Sequence, residues 1–170
     1  SEPYGRKLPD PCAVTSLQAH LLIASPELPE PFHGSVVLLV RHNEEGALGL
    51  ILNRRTNASL QEAWSRVSDV PCQRSESLFL GGPCEGPLVA LHTDEFLLEM
   101  EVLPGLYFCA GKEKLENLAA RHDGQPVKFF AGYSGWSAGQ LENEIARGSW
   151  SVMPARLEHV FAFEEELWQR

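Results

Sequence analysis

Between Val127 and Trp150 the chain reads Val-Lys-Phe-Phe-Ala-Gly-Tyr-Ser-Gly-Trp-Ser-Ala-Gly-Gln-Leu-Glu-Asn-Glu-Ile-Ala-Arg-Gly-Ser-Trp. No other stretch constrains the fold as much. Val127 to Ala131 is a short apolar run after Pro126, the pattern of a buried strand. Gly132, Gly135 and Gly139 follow closely, so the next segment needs positive φ or a close backbone approach. Ser137 with Gln140 three residues on has the form of a capping box, which predicts a helix from about Ala138. Leu141 and Ile145 form its buried stripe, with Glu142, Asn143 and Arg147 facing water or a cleft. Gly148 closes it. Trp150 and Val152 then alternate with Ser149 and Ser151 as a half-buried strand. The expected unit is strand, glycine loop, helix N-terminus. It would offer unpaired N–H groups and about half a positive charge to an anion, or would serve as a tight turn packing a helix on a sheet. It lacks the Gly-Lys-Ser/Thr ending of a Walker A loop. Trp136 stands where a nucleophile elbow needs glycine.

A chain of 170 residues fits one domain. Residues 1–16 are expected to be a loose arm without the apolar core of a signal peptide, and 17–170 the domain. No apolar run approaches the ~20 residues of a membrane helix. The formal charge is −9, with 14 basic residues scattered among 23 acidic ones. Duplex-binding domains carry a basic face, so direct nucleic-acid binding is disfavoured. Cys12, Cys72, Cys84 and Cys109 form no C-x-x-C pair, which leaves reduced thiols and a cytoplasmic setting as the plain reading. Cys109 reads as core; Cys84 lies in a glycine loop.

Along the chain, Leu17 to Ala24 is the first expected strand and residues 26–34 a proline-rich crossing loop. Ser35 to His42 and Ala47 to Asn53 form a hairpin around Asn43-Glu44-Glu45-Gly46. Ser59 and Glu62 make a second capping box, opening a helix through Trp64 and Val67. Glu76 to Leu80 and Leu88 to His92 are strands separated by the glycine–proline loop 81–87. Phe96, Leu98, Met100 and Val102 alternate with Leu97, Glu99 and Glu101, which predicts a strand with one buried face. Leu106 to Ala110 is its hairpin partner. Lys112 to His122 is a helix with Leu115, Leu118 and Ala119 inward. Leu157 to Phe163 reads either way, and Glu164 to Glu166 form a solvated face beside Trp168. The fold class is α+β: one compact domain, a mixed, largely antiparallel sheet with hairpins, and three or four helices packed on it.

Phe32 to Leu39, then His42, Gly46 to Arg54, Gly81-Gly82-Pro83, Leu91-His92, Gly132 to Ile145 and Trp150 together resemble the AlgH/YqgE family, in order from about Leu21 to Trp168. The resemblance implies a small bacterial cytoplasmic protein, labelled a regulator of transcription, with a compact mixed α and β domain. Two positions depart from the family pattern: Arg55 replaces a proline after Asn-Arg, and Cys84 replaces Val or Ile after Gly-Gly-Pro.

Polar or glycine-rich segments end or follow four apolar strands, and ligand clefts form at strand ends. The expected groove gathers Asn53, Arg54, Thr56, Gly81, Gly82, Pro83, His92, Tyr133, Gly135, Trp136, Gly139, Gln140 and Glu144. Arg54 or Arg55 and the helix start would supply positive potential, Tyr133 and Trp136 a flat apolar wall. The occupant would be a small anionic or nucleotide-like ligand, or a protein partner through a carboxylate. This makes the chain a ligand- or protein-binding module acting indirectly on gene expression. The alternative is a hydrolase-like enzyme acting on an anionic substrate, with Ser134 or Ser137 beside His92. His20, His42 and His92 lack metal-ligand spacing, and no cofactor or metal motif is present.

Overall fold

The computed structural model describes residues 16–121 and 123–162. Residues 1–15 of the expected arm, His122 at the end of the expected second helix, and residues 163–170 with the Glu164–Trp168 segment lie outside the described residues. Among the described residues eleven strands divide between two sheets, where the sequence suggested one. The first holds β1 (His20–Ala24), β2 (Val36–Asn43), β3 (Gly46–Ile51), β10 (Ser134–Ser137) and β11 (Trp150–Pro154), in the order β10-β3-β2-β1-β11. The second holds β4 (Arg55–Ser59), β5 (Ser77–Leu80), β6 (Val89–His92), β7 (Met100–Leu103), β8 (Leu106–Cys109) and β9 (Val127–Ala131), in the order β4-β5-β9-β6-β8-β7. Every pairing is antiparallel except β5 with β9.

The faces sort by residue parity, as pleated strands require. Leu38, Val40, Leu50 and Leu52 of the first sheet meet Phe79, Leu91, Leu106 and Phe130 of the second in the central core. On the far side of the second sheet, Leu78, Ala90, Cys109 and Phe129 pack under α1 (Leu60–Trp64) and α2 (Lys112–Ala120). On the far side of the first, Leu22, Val37, Leu39 and Ile51 pack with Trp136, Trp150 and Leu141 of α3 (Gln140–Ala146). The layers therefore run helix, sheet, sheet, helices. This explains the unbroken apolar run of β2, which is buried on both faces.

Local signals held at the Ser59 and Gly148 caps. The Ser59–Glu62 capping box opens α1, although the helix ends at Trp64 and leaves Val67 half exposed. Leu115, Leu118 and Ala119 are the buried stripe of α2. Gly148 ends α3 with φ of 82°, donating to the Ile145 carbonyl while Ser149 donates to that of Glu144, the paired bonds of a Schellman motif. The ambiguous segment contains a short helix, α4 (Leu157–Val160).

Three expectations are corrected. The alternating strand from Phe96 is a single 3₁₀ turn, Glu95–Leu97, and pairing begins only at Met100. Asp94 explains this: its side chain accepts from the Phe96 N–H and turns the backbone before a ladder can form. Residues 55–59, to which the sequence assigned no strand, form the edge strand β4. The glycine segment does not lead straight into a helix, because β10 intervenes and pairs with β3 in the other sheet. Helix α3 starts at Gln140 after Gly139, whose φ is 78°. Ser137 does not cap it; its N–H and hydroxyl both meet the Gln140 side-chain oxygen.

The crossing from β9 to β10 fastens the sheets together. Gly81 donates to the Ala131 carbonyl at 2.9 Å, Cys84 and Tyr133 exchange backbone hydrogen bonds of 2.9 and 3.0 Å, and the Gly81 carbonyl accepts from Ile51 and from the Ser134 hydroxyl. A Cβ on Gly81 would stand 2.3 Å from the Gly132 carbonyl oxygen, which is backbone and cannot swing away. Gly81→Ala is therefore expected to lower the unfolding free energy by about 1–3 kcal/mol in urea titration. An unchanged midpoint would show that the interlock tolerates a side chain.

Candidate functional site

The expected groove does not form as one site. Gly81 and Gly82 are buried against Gly132, Tyr133 and Ser134, and their backbone groups bond to one another. Pro83 and Gly135 lie exposed on the outside of this knot. Asn53 is a clamp: its side chain accepts from the Val36 N–H and donates to the Gly34 carbonyl. Arg54 turns toward the crossing loop, donating to the carbonyls of Pro31 and His33. The Thr56 hydroxyl lies within hydrogen-bond reach of the carbonyls of Ala58 and Leu78. These side chains hold loops in place.

Trp136 is not a cleft wall but is 94% shielded in the core. Phe32 stacks on it at 6.2 Å and Trp150 meets it edge-on at 6.0 Å. Glu144, one turn of helix beyond Gln140, reaches under this aromatic group. One carboxylate oxygen accepts from both indole N–H groups at 3.0 Å, and the other from the Gln140 amide. Burial opposes its ionisation, but the donors of Trp150, Trp136 and Gln140, with Arg147 nearby, outweigh it and hold the carboxyl below its ordinary 4.5. Gly139 and Gln140 belong to this same anchor. His42 is likewise engaged: Nδ1 accepts from the Leu17 N–H at 2.8 Å, so the proton sits on Nε2, which donates to Glu142 at 2.8 Å.

His92 lies elsewhere. It pairs with Val127 at the start of β9, whereas Ala131 at the end of β9 meets Leu80 and the glycine knot. Four residues of strand separate the two ends, roughly 13 Å. Around His92 a different group assembles. Its Nδ1 accepts from the Asp94 N–H at 3.1 Å, leaving the proton on a buried Nε2 without a bonded partner. Burial pushes the ring toward neutrality, against the pull of Asp94 and Glu99. Its cross-strand neighbour is Tyr107. Arg121, just past the end of α2, binds Asp94 and Asn117. That arginine, with the Phe96 N–H, keeps the Asp94 carboxyl below its usual range.

Beside this group opens a cleft of about 490 Å³, lined by Thr93, Asp94, Glu95, Phe96, Tyr107, Arg121 and Asp123 among others. Phe96 stands on its rim with 88% of its surface exposed, and Leu98 beyond it with 50%. Tyr107 titrates above its ordinary value, first from burial and then from the carboxylates of Glu101, Glu95 and Asp94. The cleft is thus a region of negative potential with an apolar lip.

The sequence model of the AlgH-like family matches residues 21–170. A UPF0301 protein of Chlorobaculum tepidum is 41% identical over 157 residues, covering 88% of this chain and 82% of the relative. One of Methylococcus capsulatus is 37% identical over 172 residues, covering 96% and 92%. This chain belongs to the AlgH-like family. Among solved structures, the AlgH protein of Pseudomonas aeruginosa superposes with a TM-score of 0.75 at 30% identity, over 94% of this chain and 86% of that one. DIP2367 of Corynebacterium diphtheriae shares the fold, with a TM-score of 0.72 at 24% identity and coverage of 91% and 85%.

Within this AlgH-like domain, most residues that carried the resemblance turn out to hold the architecture. The cleft residues Asp94, Phe96, Tyr107 and Arg121 escaped sequence reasoning. An available signal was Asp94 two residues before Phe96, the spacing of an Asx turn. Among the described residues no helix is long and apolar enough to cross a membrane, and no three His, Cys, Asp or Glu are placed to hold a metal. Cys72, Cys84 and Cys109 are free, and burial pushes the Cys109 thiol up to about 11.

The Glu144 anchor makes a pH prediction. A carboxyl with a depressed folded-state pKa stabilises the fold above its unfolded pKa and loses that contribution as pH falls through the folded value. Glu144→Gln should lower stability at pH 7 by on the order of 2 kcal/mol. The gap to the parent should close below the ordinary 4.5. Thermal melts across pH, read by tryptophan fluorescence, would show it; a gap independent of pH would refute it.

Proposed function

We propose that this AlgH-like protein is a binding module of the bacterial cytoplasm that engages another protein through the Phe96 cleft and acts on gene expression through that partner. The observation that supports this reading is Phe96 itself, 88% exposed on a turn fixed by two side chains. Asp94 accepts from its backbone N–H and His92 accepts from that of Asp94. A large aromatic presented on a fixed backbone turn contributes much buried area on binding, as interface anchors do.

The groups a hydrolase would use have other tasks. The Ser134 hydroxyl is buried and donates to the Gly81 carbonyl. Ser137 is bonded to Gln140. The Nε2 proton of His42 is held by Glu142. These engagements favour recognition over hydrolysis. They also favour the cleft over the glycine segments as the place where it occurs.

Complementation tests the proposal. In a deletion strain, the parent gene should restore the transcript profile. Phe96→Ser should fail while keeping its melting temperature, because Phe96 makes little contact with the core. Full restoration by Phe96→Ser would overturn the reading.

A further inference from the structure

We propose that the occupant of the Phe96 cleft is a basic segment of a partner protein, in which a lysine or arginine next to an apolar residue enters the cleft. This rests on the preceding reading and adds the chemistry of the partner. Three carboxylates, Asp94, Glu95 and Asp123, line the cleft against one guanidinium, Arg121. Arg121 is bound to Asp94 and stands 3.7 Å from Asp123, so it neutralises part of the group and leaves a surplus. Glu101, exposed and directly across from Tyr107, adds to it. Three other charges lie nearby: Arg74 stands 3.7 Å from Asp123 but is itself bound to Glu76 at 2.8 Å, Glu99 accepts from the backbone of Ala110 and Gly111, and Lys114 donates to the Leu98 carbonyl.

The surplus selects among occupants. A second copy of this chain brings another formal −9, so self-association here is opposed by its own field. A small cation would satisfy the carboxylates but leave Phe96 in water. A basic side chain joined to an apolar neighbour answers both halves. Its cation meets the carboxylates and the ring face of Tyr107 or Phe96, and its neighbour covers the lip. The polar rim around an aromatic anchor is the usual arrangement of a protein interface.

The test uses the full chain and two fluorescein-labelled peptides, acetyl-Leu-Arg-Leu-Arg-amide and its counterpart with Glu for Arg, read by anisotropy at low and high salt. The basic peptide should bind, weaken with salt and lose at least tenfold affinity in Phe96→Ser and in the double variant Glu95→Lys, Glu101→Lys. Leu157→Ser, at an exposed position outside the cleft lining, should leave binding unchanged, and the acidic peptide should not bind. Equal binding by all variants would mean diffuse attraction to an acidic protein and overturn the proposal. So would displacement by spermine without dependence on Phe96, which would identify a small-cation site. If no basic peptide binds while Phe96→Ser still fails in complementation, the basic partner is wrong and the binding module stands. If Phe96→Ser also complements, both fall.

Discussion

The structure depends on one close approach of backbone to backbone. Two sheets can share an apolar core and still slide, because hydrophobic contact is non-directional. Here the slide is stopped where the 81–84 loop crosses the 132–134 segment. Hydrogen bonds from Gly81, Cys84, Tyr133 and Ser134 tie the ends of β5 and β9 to each other and to β3. A Cβ on Gly82 would stand 2.3 Å from Tyr133 backbone atoms and one on Gly132 2.8 Å from the Cys84 carbonyl oxygen. The glycines are there for what they lack. Once β9 is committed to this crossing, β10 must emerge beside β3, and Trp136 is delivered to the far face where α3 covers it.

That crossing also explains how the sequence misled. Glycine density signals close approach, and close approach has two readings: a ligand's phosphate or another stretch of the same chain. The local letters are identical, since both need absent side chains and available N–H groups. Only the pairing partner decides, and it lies fifty residues away in the loop after β5. The caps at Ser59 with Glu62 and at the Gly148 end of α3 were legible because their partners lie within one turn, whereas Ser137 with Gln140 was not a cap because β10 runs through Ser137. The hairpin of β2 and β3 and the stripe of α2 were legible for the same reason. The alternation from Phe96 to Val102 failed because period two describes only a chain already extended. Asp94 bends it first, and Phe96, at an inward position of the pattern, ends exposed.

Arg55 shows a departure from family pattern becoming structure. A proline there cannot donate to a ladder. Arginine sits on edge strand β4 opposite Phe79, with its guanidinium 5.9 Å from that ring and bonded to the Ser77 hydroxyl. The side chain thus packs along the second sheet, and the positive charge expected at a ligand groove lies instead beside β5.

The polar residues divide by where their partners are. Asn53, Arg54, His42 and Glu144 each meet backbone or side-chain groups brought from distant elements, so their charge and hydrogen-bonding capacity are used inside the fold. Around β6 and β8 the balance differs. His92 and Asp94 use one acceptor each to shape a turn, and the carboxylates beyond them outnumber the cations. A fold can carry unneutralised charge and an exposed ring only where removing them would not loosen its core. The 93–99 turn meets that condition, because it hangs on two side-chain acceptors at the edge of the second sheet rather than on the interlock. The interlock and the proposed recognition surface thereby lie at opposite ends of the same strand, β9, so substitutions in the cleft need not disturb the knot that fixes the sheets.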